Sequence, residues 1–248
     1  MTRFSANLGF LWNDRPLPEA IRAAHAAGFA AVECHWPYAT PAEEVRATLE
    51  ATGLPMLGLN TLRGKPGENG LAALPGREAE ARAAIDQAID YANATDTGAI
   101  HVMAGFAQGE EARHCFEANL AYAAERTERM ILIEPLNRHD APGYFLQTTD
   151  QAREIIGTVD APNLKLMFDC YHVGRTEGDV MTRLSDLLSV IGHIQFAAVP
   201  DRGVPDHGEL NYAEIFAHIA TLGWDTPLGA EFKPAAPEDI TGWIASVT

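Results

Sequence analysis

Four residues whose side chains bind hard cations or move protons recur at one kind of place in the chain. They are Glu134 in MILIEPLN (130–137), Asp169 in LKLMFDCYH (164–172), Gln195 in IGHIQFAAV (191–199) and Glu231 in PLGAEFKP (227–234). Each interrupts an apolar, β-rich run near its end. Taken singly, each is as readily a polar residue at a strand terminus. On four consecutive strands, two Glu, one Asp and one Gln make a set of hard oxygen donors suited to Mg²⁺ or Mn²⁺. Zinc would favour His or Cys, and Cys170 and His172 stand close to Asp169. Glu134 and Glu231 also form an acid/base pair in the making. Three strands apart, they can approach a small molecule from different sides, one taking a proton from carbon and the other returning it. A metal between them would polarise a carbonyl and stabilise an enediolate.

The elements that must position these residues are legible from periodicity. Four more short apolar runs precede them, FSANLGF (4–10), AAVECH (30–35), PMLGLN (55–60) and AIHVMAG (99–105), and segments of helical period lie between all eight. PEDITGWIASVT (237–248) closes the chain as an eighth expected helix. Thr40-Pro41 and Thr149-Asp150 mark helix starts, while Gly28, Gly53 and Gly223 mark stops. There is no low-complexity tract, linker or repeat of fixed sequence period. Eight βα units in 248 residues predict an α/β protein made of a single (β/α)8 TIM barrel, one domain over residues 1–248. In such barrels the strands' C-terminal ends converge on one pocket, where a carboxylate ending a strand is placed to do chemistry.

Composition narrows the partners. Eighteen Lys and Arg against 34 Asp and Glu give a formal charge of −16. Such a surface repels phosphate backbones, which argues against nucleic acid and against an anionic membrane. Cys34, Cys115 and Cys170 have neither CxxC spacing nor an even count, as expected of reduced thiols. The amino-terminal stretch has no sustained apolar region, and no run approaches the ~18–20 apolar residues of a membrane span. A cytoplasmic location is expected. No GxGxxG, GxSxG or P-loop pattern supports a dinucleotide or a serine nucleophile.

The stretches AALPGREAEAR, HVMAG, IEPLN, PGYFLQTTDQA, FDCYH, HIQFAAVPDRG, HGELNY and AEFKP together resemble the hydroxypyruvate isomerase family, which belongs to the xylose-isomerase-like TIM barrels. The resemblance runs in order along nearly the whole chain. It implies that Glu134, Asp169, Gln195 and Glu231 match the family's metal-binding positions, and that the two glutamates match its acid/base pair. Related ketose epimerases place a substrate-binding His three residues after the metal-binding Asp, which His172 matches, and an Arg soon after the strand-seven ligand, which Arg202 matches. One departure touches the substrate side. Where the family often reads IQIAD or IQIAG followed by VPGRHEP, Ala198, Gly203 and Val204 replace polar or charged residues.

The resemblance implies an intramolecular oxidoreductase that interconverts a small 2-oxo hydroxy acid and its aldehyde isomer, hydroxypyruvate and tartronate semialdehyde being the namesake pair. A 2-oxo-tetronate isomerase or a ketose 3-epimerase would use the same site. Arg202 and Lys233, the latter sharing the parity of Glu231, would suit an anionic substrate. The competing reading makes His172 a loop or capping residue and the two cations solvated. Glu33, Asn60 and His101 interrupt strands two to four, either lining the pocket or satisfied in the core, and Trp12 and Trp36 wall the pocket or merely pack. The Gly-rich stretch 60–70, carrying Arg63 and Lys65, is long enough for a lid. A DNA-repair endonuclease on the same barrel would need a histidine-rich multi-zinc cluster and a basic face. A pure binding protein would not need two opposed glutamates.

Overall fold

A computed structural model describes residues 2–236 and 239–247. Eight parallel strands, each inside one of the expected runs, form one sheet: β1 (Phe4–Asn7), β2 (Ala31–Glu33), β3 (Gly58–Asn60), β4 (Ala99–His101), β5 (Met130–Ile133), β6 (Leu164–Asp169), β7 (Ile191–Phe196) and β8 (Leu228–Ala230). Their order is β2-β1-β8-β7-β6-β5-β4-β3. The two ends meet through a parallel bridge between Val32 and Met56 and the bonds Leu57 N–H to Val32 O (2.8 Å) and Cys34 N–H to Gly58 O (3.1 Å). That contact curls the sheet into the barrel.

The helices are α1 (Leu17–Ala26), α2 (Ala42–Thr52), α3 (Glu78–Thr95), α4 (Gly109–Arg126), α5 (Thr149–Val159), α6 (Cys170–Thr176), α7 (Val180–Leu187), α8 (Tyr212–Thr221), α9 (Asp239–Gly242) and α10 (Ile244–Val247). Gly53 stops α2 in the left-handed region at φ 70°, as expected of that residue. α5 starts at Thr149, as expected, and is capped by the Thr148 hydroxyl, which accepts from Gln151 N–H.

Two expectations are corrected. The run 164–172 is not all strand: β6 ends at Asp169, whose carboxylate accepts from Tyr171 N–H and so starts α6. The closing helix is two short helices, with Pro237, Glu238 and Thr248 outside the described residues.

Alternation sorts the strand side chains. Ile131, Ile133, Leu166, Phe168, Ile194 and Phe196 belong to the main apolar cluster with the helices, while Ala99, Leu132 and Met167 form a small cluster of their own. Above that plug, inward positions turn polar.

Candidate active site

A cavity of about 330 Å³ opens at the strands' C-terminal ends, lined by residues of the β1, β2, β3, β4, β5, β6, β7 and β8 connections. Glu134, His172, Arg202 and Glu231 line it, and Asp169 and Gln195 are buried beneath. A larger hollow of about 490 Å³ lies at the opposite barrel face, between the ends of α4 and α5, where a TIM barrel does not carry its chemistry.

Three of the four oxygen donors expected from the sequence present an unsatisfied atom. Glu134 Oε1, Asp169 Oδ2 and Gln195 Oε1 are buried with no hydrogen-bond partner among the described residues. Buried polar oxygens left without partners are rare, because each forfeits its hydration for nothing in return. Ligand atoms of Glu134, Asp169 and His172 lie within 4.8 Å of one another. Hard oxygens converging without protein donors fit a divalent cation.

His172 is a poor member of that ligand set, for a reason its hydrogen bonds supply. Its Nδ1 accepts from Asn137 N–H (3.0 Å) and faces Asn137 Nδ2 at 2.8 Å. Asn137 Oδ1 accepts from His139 N–H and Asp140 N–H, which orients the amide with its NH₂ toward the imidazole. Nδ1 is therefore the acceptor and Nε2 carries the proton. Burial, reinforced by the nearby Arg202 charge, lowers the pKa of His172 to about 3, so the ring is neutral. Its Nε2–H points at Glu134 Oε1 and Asp169 Oδ2, each 3.7 Å away, as a donor to whatever sits between them.

Glu231, the fourth expected ligand, is differently placed. Its Oε1 accepts from Asn7 Nδ2 (3.1 Å) and meets His35 Nε2 at 3.0 Å, and its Oε2 accepts from Arg202 at 2.8 Å. Arg202 also reaches Asp169 Oδ2 at 3.9 Å, so it joins the two acids. Burial alone would raise the Glu231 carboxyl, but the Arg202 charge and the His35 bond outweigh it and hold it down at about 2. Asp169 goes the other way: burial first, then the charge of Glu231, push it up to about 7. Burial and the charges of Glu231 and Asp169 also raise Glu134 well above the ordinary carboxylate range. Without a cation, this acid cluster holds protons in its place.

Beneath the site, Glu33 serves neither the cavity nor the apolar core. Its carboxylate pairs with His193 Nε2 at 2.5 Å and accepts from Gln195 Nε2 at 3.4 Å, which turns Gln195 Oε1 toward the site. Asn60, His101 and Trp36 line the cavity; His101 Nδ1 stands 3.7 Å from Glu134, and burial lowers its pKa to about 4. Trp12 instead packs its ring against Phe29. From the 60–70 stretch, Asn60, Arg63 and Asn69 face the cavity.

Lys233 is not brought to the site. Its side chain is exposed, and its backbone N–H donates to Arg202 O at 2.8 Å. The parity argument fails there because β8 ends at Ala230, and alternation does not extend past a strand. Asn7 and His35, which hold Glu231, were missed. Asn7 is the last residue of β1, in step with inward-facing Ser5, and that parity was the available signal. Cys170 belongs to the apolar cluster, its thiol pushed well up by burial and by Asp169, so a Zn-type thiolate ligand is not offered. All three cysteines are free and buried.

The model of the xylose isomerase-like TIM barrel family matches residues 21–247. The chain belongs to that family. Within it, a 2-oxo-tetronate isomerase of Cupriavidus necator is 44% identical, over 98% of this chain and 98% of the relative. A human protein named "Putative hydroxypyruvate isomerase" is 40% identical, over 94% of this chain and 90% of its own length. A crystal structure described as an AP endonuclease, family 2, from Brucella melitensis superposes with a TM-score of 0.95 at 35% identity, covering 99% of this chain and 98% of that one. These family members span essentially the same barrel, so the matched segments belong to one shared framework.

Proposed function

We propose that the protein is a divalent-metal-dependent isomerase of small hydroxy-oxo acids, working on hydroxypyruvate and tartronate semialdehyde or on the longer 2-oxo-tetronate. The observation that carries the reading is that Glu134 and Asp169 bring ligand atoms within 4.8 Å of each other, each with a buried oxygen that lacks a partner, and that Gln195, the register partner of Asp169, offers a third such oxygen. Glu134, Asp169, Gln195 and Glu231 would hold Mg²⁺ or Mn²⁺, which when bound polarises the substrate's carbonyl and steadies negative charge on its oxygens. The chain's own groups supply the rest. One of the two glutamates removes the proton from the hydroxylated carbon next to the carbonyl, giving an enediolate, the hydroxyl proton passes to the former carbonyl oxygen, and the other glutamate delivers a proton to the former carbonyl carbon. His172 donates its Nε2–H to a substrate oxygen. Arg202 keeps Glu231 ionised and aimed. The names of the family relatives support the substrate class.

A DNA-processing role, suggested by the description of the Brucella structure, fits less well. The formal charge is −16, the cavity of about 330 Å³ is the size of a small-molecule pocket, and the group of three acidic and imidazole residues within ligand distance contains a single histidine. No helix among the described residues is long and apolar enough to cross a membrane. Three unlinked buried thiols support a cytoplasmic setting.

The test is ¹H NMR in D₂O with hydroxypyruvate and with 2-oxo-tetronate, using chelator-stripped protein with and without added Mg²⁺ or Mn²⁺. Metal-dependent deuterium exchange at the hydroxylated carbon is expected, falling at least about 10³-fold in Glu134→Gln and in Glu231→Gln. Absence of exchange with every 2-oxo acid, and exchange with a neutral ketose instead, would move the assignment to an epimerase.

A further inference from the structure

Two guanidinium groups line the cavity among the described residues, and they differ in what they already hold. Arg202 is committed: it pairs with Glu231 at 2.8 Å and reaches Asp169 at 3.9 Å. Arg63, in the segment between β3 and α3, has no carboxylate at ion-pair distance among the described residues, yet it faces the same cavity. Its neighbour Glu68 is taken, accepting from Lys65 N–H (2.6 Å) and pairing with Arg77 (2.5 Å).

Arg63 is nevertheless held in place. Its guanidinium carbon lies 4.6 Å from the centroid of the Trp36 ring, and Trp36 is tethered through Nε1–H to Thr61 O at 3.1 Å. Arg63 O accepts from Gly70 N–H at 2.8 Å, pinning the segment from its far side. The contact restrains the cation at the ring, and its N–H groups meet no acceptor among the described residues. A planar fork so restrained is matched to a carboxylate, which it binds through two parallel charge-assisted bonds. The cavity floor makes the orientation one-way. The floor carries the acid/base pair and the proposed metal ligands, so the reacting carbons belong there and the carboxylate is left to the rim, where the exposed Arg63 stands.

We propose that Arg63, stacked on Trp36, binds the substrate's carboxylate and sets the preference for acids over uncharged sugars. This rests on the hydroxy-oxo acid reading. It replaces Arg202 and Lys233 in that role, because Arg202 is engaged with the catalytic glutamate and Lys233 is outside the cavity.

The experiment compares the 2-oxo acid that the wild type turns over with its uncharged carboxamide, in the wild type and in Arg63→Gln, Arg63→Lys and Arg63→Glu. Loss of a bidentate charged contact is expected to raise KM for the acid about 50-fold in Arg63→Gln, with a far smaller change in kcat. KM for the amide should stay near the wild-type value, Arg63→Lys should fall between, and Arg63→Glu should prefer the amide. Circular dichroism and metal affinity, both independent of Arg63, serve to show that the variants are folded and loaded. An Arg63→Gln variant that keeps its KM for the acid within about threefold would overturn the proposal while leaving the isomerase reading intact. A wild type that turns over no acid at all, only neutral ketoses, would sink both.

Discussion

Asp169 divides its two oxygens between two tasks. Oδ1 accepts from Tyr171 N–H at 2.8 Å and starts α6, while Oδ2 is left without a hydrogen-bond donor beside His172. An acid pushed up to about 7 by burial and by Glu231 must give up its proton before it can bind a cation. The sign follows directly. Below about 7 the metal-free site holds that proton, so metal binding releases it, and affinity should climb with pH until the group is already ionised. Calorimetry with Mn²⁺ in two buffers of different ionisation enthalpy should show proton release at pH 6 that shrinks by pH 8. Asp169→Asn should reduce that proton signal to the part released by Glu134, whose carboxyl is also raised, and bind Mn²⁺ at least about tenfold more weakly, while its amide oxygen can still cap α6. Release unchanged from pH 6 to pH 8 would contradict the assignment.

At the scale of elements, β2, β7 and β8 build a platform under the ligands. Gly229 of β8 is paired in register with Gln195, and a Cβ there would lie 2.4 Å from Glu33 Oε1, 2.7 Å from Gln195 Cγ and 2.9 Å from His193 Nε2. The missing side chain is what lets Glu33 span from β2 to His193 and orient Gln195. Gly229→Ala should therefore displace Glu33 or Gln195 rather than merely tighten packing. The expected result is Mn²⁺ affinity lowered by about 10- to 100-fold, the range for loss of a supporting hydrogen bond, alongside a lower melting temperature. Equal metal affinity in a variant of lowered stability would show that the contact matters to packing alone. This platform was only half legible from the sequence. Glu33 stood out as an acid in an apolar run, but its partner His193 lies 160 residues away, and nothing local pairs them.

Across the whole molecule, the end of the chain seals the barrel's β7–β8–β1 side. Trp243 is 1% exposed, with its ring 4.8 Å from that of Phe4, 5.3 Å from Phe196 and 5.9 Å from Phe232. Removing so large a buried ring costs about 3–5 kcal/mol. Trp243→Ala should show that loss in urea unfolding of the metal-free protein, and a cost under about 1 kcal/mol would mean that the C-terminal helices contribute little to closure. The sequence by itself determined the eight βα units, the inward phase of Glu134, Asp169, Gln195 and Glu231, and the charge balance, because periodicity and composition are local or additive properties. It could not decide how those groups share their hydrogen bonds. That Asn137 forces the proton of His172 onto Nε2, that Arg202 is occupied by Glu231 while Arg63 lies against Trp36 with no carboxylate partner among the described residues, and that Lys233 is exposed depend on contacts between distant segments and on where a strand stops. Only closure of the barrel brings those segments together, and with them the electrostatics that tell one carboxylate from another.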